Sequence, residues 1–165
     1  MSLASIMIEQ LGMARRVVAD GHQMIPRWRI TTAGGDFLIL TQFDADKPEQ
    51  RQRALSLIRR FMIWKLATSY VLTAETWLGA EVARFGDEAL LSVGFSHYER
   101  LAVFQRIQRH EAVRFDEPVW LSPHQVDRQY FGLLPHGRTE ITAADEAELV
   151  RLFGKNGELR AERLS

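Results

Sequence analysis

The chain has 165 residues, 46% of them hydrophobic and 25% charged, an ordinary globular mix that excludes a disordered or fibrous protein. It contains no cysteine, which excludes structural disulfides, thiol nucleophiles and cysteine-ligated zinc. Basic and acidic residues balance at 21 each, so the chain lacks the net positive field that drives non-specific nucleic-acid binding.

The length predicts one domain over residues 1–165, large enough to bury a core without covalent staples. No apolar run reaches the roughly 18 residues of a membrane span. Glu9 and Gln10 interrupt the apolar N-terminal stretch, and Arg15-Arg16 follow it instead of preceding it, which is not the order of a secretory signal. A cytoplasmic protein is expected. Residues 1–65 hold 10 basic and 6 acidic residues, so the first part is positive and the remainder negative. Lysine occurs only at Lys47, Lys65 and Lys155, an arginine bias common in GC-rich genomes that points to no function.

Leu3, Met7, Leu11, Ala14 and Val18 recur at steps of three and four, which predicts a helix from Leu3 to about Asp20, stopped by Gly21. Pro26 then breaks helical continuity. Trp28, Ile30 and Thr32 alternate with Arg27, Arg29 and Thr31, and Phe37, Ile39, Thr41 and Phe43 alternate with Leu38, Leu40 and Gln42. That period of two predicts two strands around Gly34-Gly35. A phosphate-gripping loop needs a helix after its glycines. Here "DFLILTQF" follows, so the glycine pair reads as a hairpin turn.

A long helix is predicted over 47–66, with Asp46 as its N-cap and Pro48 and Glu49 in its first turn. Ala54, Leu55, Leu57, Ile58, Phe61, Met62, Trp64 and Leu66 share one broad arc, so this helix should lie on a sheet. "SYVLTAETWL" and "DEALLSVGFSH" read as strands, the second with Ala89, Leu91, Val93 and Phe95 on one face. Residues 99–109 fit a helix or a strand, and a strand would continue the meander. "VRFDEPVWL" reads as an edge segment broken by Pro118. Residues 122–140 read as loop. Thr142 and Asp145 resemble a capping box that opens a helix running to Phe153, with Gly154 as its stop. The polar tail from about 155 is expected to fray. The fold class is therefore α+β: a mainly antiparallel sheet of about five or six strands on a long helix, with N- and C-terminal helices. Hairpin, helix and meander in this order are common in small bacterial domains.

Three constellations could carry function. Glu75 is predicted on one strand face with Val71, Thr73 and Trp77, where a carboxylate beside an indole could act as acid or base. Pairing with an arginine of a neighbouring strand is the structural alternative. His97 and Tyr98, in "GFSHYER", would join Glu75 in a small-molecule or catalytic pocket if the fold brought them together. Adjacent Ser96 and His97 on a strand would point to opposite faces, so a strand-end turn is the simpler reading. Arg27, Trp28, Arg29, Arg53 and Arg60 could form a basic, aromatic patch for nucleic acid. The histidines His22, His97, His110, His124 and His136 show no metal-ligand spacing, and no cofactor motif is present. With no catalytic motif, the leading expectation is a non-catalytic interaction or accessory protein. Trp28 and Trp120 suggest that it acts as a homodimer, with another protein as a possible further partner.

Overall fold

The computed structural model describes residues 1–42, 47–76, 88–135, 140–154 and 159–164. The fold is α+β, built on an antiparallel sheet of eight strands with three helices. Strands β1 (Arg27–Thr32), β2 (Gly35–Leu40), β3 (Ala67–Thr76), β4 (Ala89–Ser96), β5 (Arg100–Arg109), β6 (Val113–Phe115), β7 (Val119–Leu121) and β8 (Ala161–Leu164) run in the spatial order β6-β5-β4-β3-β1-β2-β8. β7 also pairs with β5, on the same edge as β6. The sheet is larger than the sequence predicts. "VRFDEPVWL" makes two short strands, one on each side of Pro118, and residues 161–164 add an eighth instead of fraying.

Helices α1 (Leu3–Ala19) and α2 (Pro48–Lys65) are nearly equal in length, so no single long helix dominates, and α3 (Ala143–Leu152) is shorter. α1 begins where the Ser2 side chain accepts a hydrogen bond from the Ser5 N–H. Its five predicted stripe residues are all buried, together with Ile6 and Gln10. They pack on Val71, Leu90, Val103 and Ile107, which occupy one face of the sheet. α1 approaches closely because Gly94 has no side chain: a Cβ there would lie 2.6 Å from the Met7 sulfur.

The other face carries Trp28, Ile30, Ile39, Tyr70, Leu72 and Phe95, covered by Leu55, Ile58, Phe61 and Met62 of α2. α2 starts with Pro48 at its first position and Lys47 as its cap residue; the predicted cap, Asp46, lies outside the described residues, as does Phe43. Leu66 leaves the predicted apolar arc and is 66% exposed. Its left-handed φ of 53° turns the chain from α2 directly into β3 and swings the side chain outward. α3 lies beside α2, where Arg60 bridges Asp145 at 3.4 Å and Glu148 at 2.7 Å. The Thr142 hydroxyl caps α3 by accepting from the Asp145 N–H.

The β1–β2 hairpin closes through Ala33-Gly34, with Thr32 opposite Gly35. Of the two glycines, Gly35 carries the positive φ, 123°, while the Gly34 N–H donates to the Thr32 hydroxyl at 3.1 Å. β5 resolves the ambiguity over 99–109 as a strand, and the buried faces of β4 and β5 on both sides place this pair in the middle of the layered core.

Candidate functional site

Glu75 sits near the end of β3 on the α1 face of the sheet, opposite Leu90. Its carboxylate accepts from Arg109 Nη2 at 2.9 Å, and Arg109 Nε donates to Glu88. Arg109 comes from β5, with β4 between, so one guanidinium links β3 to the residue just before β4 across the sheet end. The two carboxylates hold the Arg109 pKa above its usual value, Glu88 most strongly. Both acids and the arginine are partly open to water, where such ion pairs contribute at most about 1 kcal/mol. Glu75 thus pairs with an arginine two strands away, where the sequence reading offers one from a neighbouring strand. Its neighbour Trp77 lies outside the described residues. Once 100–109 is a strand, Arg109 shares the parity of Val103 and Ile107 and so faces the same side as Glu75. That parity was the available signal for the pairing, and it rests on resolving the helix–strand ambiguity.

His97 and Tyr98 are not near Glu75. Ser96 pairs with Ser69 and Leu90 with Glu75, so the β3–β4 ladder separates the two sites by six residue steps. At ~3.3 Å per residue this is roughly 20 Å. Ser96 to Glu99 form the β4–β5 turn: the Ser96 hydroxyl accepts from the N–H groups of Tyr98 and Glu99, both at 3.1 Å. Tyr98 is 97% exposed at its tip. An open groove of about 580 Å³ lies elsewhere, between β2, β8 and the end of α3; Leu38, Leu40, Phe153 and Arg160 are among its lining residues, and Glu75 and His97 are not.

The predicted basic patch also comes apart. Arg27 and Arg29 belong to the α1 face, whereas Arg53 and Arg60 belong to α2, which covers the opposite face. Arg29 bridges Glu9 at 3.3 Å and Asp36 at 3.0 Å. Arg60 is held by α3. Arg27 keeps Nε and Nη1 buried without a hydrogen-bond partner, and the lost hydration pushes its pKa down. Trp28 is fully buried on the α2 side, with Nε1–H donating to the Thr41 hydroxyl at 3.0 Å and its ring against Tyr70. Burial leaves it no free face to stack on a base or to meet a second copy. His22, His97 and His110 are exposed in separate loops, His124 is exposed in the short 3-10 helix Pro123–Gln125, and His136 lies outside the described residues. Among the described residues no group of three or more His, Asp or Glu is placed to hold a metal ion, and no helix is long and apolar enough to cross a membrane.

Two exposed apolar side chains lie on β7, one toward each face of the sheet. Val119 and Trp120 are each 47% exposed, and among the described residues β7 pairs with β5 alone. Trp120 stands out in the sequence as an aromatic two residues after a proline. Val119 does not, because its exposure follows from the three-residue length of the strand. No protein-family model matches the chain, and no curated protein or solved structure matches it.

Proposed function

We propose that the protein is a non-catalytic interaction or accessory domain that acts as a homo-oligomer. The observation that carries this reading is the β7 edge, where Val119 and Trp120 stand half-exposed on a strand with one neighbour among the described residues. Edge strands are usually guarded by charge, twist or a covering element, and apolar side chains on an open edge mark a surface that gains by being covered. The acid/base pocket draws no comparable support, since its residues stand about 20 Å apart along the β3–β4 ladder.

Sedimentation velocity tests the proposal. At tens of micromolar, a concentration chosen from ordinary reversible affinities, the expected result is a species of twice the monomer mass. A monomer throughout that range would remove self-association. Saturable turnover of a substrate, lost on replacing one buried polar residue, would overturn the non-catalytic reading.

A further inference from the structure

The direction of the backbone groups along β5 fixes what the β7 edge presents. The Ile107 N–H donates to the Glu88 carbonyl at 2.9 Å, and the Asp116 N–H donates to the Arg106 carbonyl at 3.1 Å. In an antiparallel strand the main-chain groups alternate sides. Odd-numbered residues of β5 therefore bond toward β4, and even-numbered ones toward β6 and β7. Val103 is odd and stands opposite Trp120, so this is a non-hydrogen-bonded pair. The N–H and C=O of Trp120 consequently point away from β5, to the open edge.

We infer that β7 pairs antiparallel with β7 of a second copy about a two-fold axis through Trp120, joining two sheets into one. This deepens the self-association proposed above and rests on it. A two-fold axis normal to the sheet keeps each face on its own side, so it must relate one residue to itself. Centred on Trp120, the pairing exchanges two N–H···O=C bonds between the Trp120 residues and stacks their side chains on one face. On the other face Val119 meets Leu121 of the second copy. Every side chain in the paired stretch is apolar, and none opposes a like charge.

The far edge of the sheet argues for the same choice. A two-fold pairing of β8 with itself that is centred inside the strand falls on Glu162 or on Arg163, which sets glutamate against glutamate or arginine against arginine. Like charges directly opposite each other are destabilising. Of the two edges, then, only β7 offers an apolar residue at a symmetric centre inside the strand. Three residues form a small interface, so the dimer is reversible and concentration-dependent.

Amide hydrogen exchange on the unmodified protein, read residue by residue at low and high concentration, tests the inference. The Trp120 amide should exchange at least about tenfold more slowly in the dimer, with no such change at Glu162 or Arg163. Trp120→Pro should weaken self-association at least about tenfold, because it removes an N–H that faces outward and spares the β5–β7 ladder. A dimer whose Trp120 amide exchanges at the monomer rate would refute the β7 interface and leave the proposed function standing. Protection of Trp120 only when a different protein is added would show that the occupant is not a second copy, and would also refute it. Absence of any dimer removes both.

Discussion

The two edges of the sheet are made differently. β8 is four residues, Ala-Glu-Arg-Leu, and its Arg163 reaches over the hairpin to the Gly34 carbonyl. β7 is three residues, Val-Trp-Leu, preceded by Pro118 and, among the described residues, paired on one side only. Both are short, which is itself a common guard against unwanted pairing. Charge then separates them. One edge carries charged side chains, one of which clamps a neighbouring turn, and the other ends in apolar groups with an outward-facing amide. In the proposed pairing, strand length alone does not decide whether an edge is adhesive; the residue at the symmetric position does.

The comparison can be broken most severely by giving both edges the same character. Glu162→Val combined with Arg163→Val makes β8 apolar, so each copy would offer two adhesive edges. Light scattering should then show mass rising with concentration without a plateau, in place of a bounded dimer. A variant that stays dimeric would mean that the charges on β8 are not its guard.

A smaller effect is expected at the turn beneath β8. Gly35→Val forces a branched side chain onto a φ of 123° and places its Cβ 3.4 Å from Arg163 Nε. The cost should be about 2 kcal/mol, read as a lower urea midpoint, with dimerisation through β7 unchanged. Loss of dimerisation at equal folding would show that the edges are coupled.

The smallest effect belongs to the middle of the sheet and serves as the control. Tyr70 on β3 is buried and donates its hydroxyl to the Tyr130 carbonyl at 2.6 Å. Burial pushes both tyrosines' pKa values up. The folded protein thus holds these protons where the unfolded chain, with an ordinary tyrosine pKa of about 10, releases them. Their contribution is complete below that pH and falls as pH rises above it. Tyr70→Phe should cost about 1 kcal/mol near neutral pH and should flatten the alkaline decline in urea-unfolding free energy. Neither edge should respond. An alkaline decline as steep as that of the wild type would assign the titration to other groups.

Much of this layout is legible in the sequence where side-chain period and local chemistry agree. The stripe of α1, the alternation in β1, the hairpin at Gly34-Gly35 and the cap at Thr142 all combine a periodic signal with a residue suited to its turn or cap. Features that depend on a partner strand are not legible in this way. "AERL" becomes a strand because β2 offers it an edge, and nothing in four mixed residues announces that. Leu66 satisfies the helical arc yet turns outward, because the chain must reverse into β3 at that point. Glu75 was identifiable as a strand carboxylate, but its distance from His97 and its bond to Arg109 follow from register across three strands. Trp28 and Trp120 look alike as aromatics in strands, and only their places in the strand order bury one and expose the other.

The pairing of β2 with β8 sets a clock on how the chain is made. Ile39 meets Ala161, so β2 and its final neighbour are separated by roughly 120 residues of chain. At about 5–20 residues per second on a ribosome, that interval lasts on the order of 10 s. Throughout it Leu38, Ile39 and Leu40 form a nascent border with no strand on its outer side. The β1–β2 hairpin can form early, but it must wait for the far end of the molecule before it is sealed. Slow translation or a stalled ribosome would prolong the stage at which neighbouring nascent chains can pair through β2.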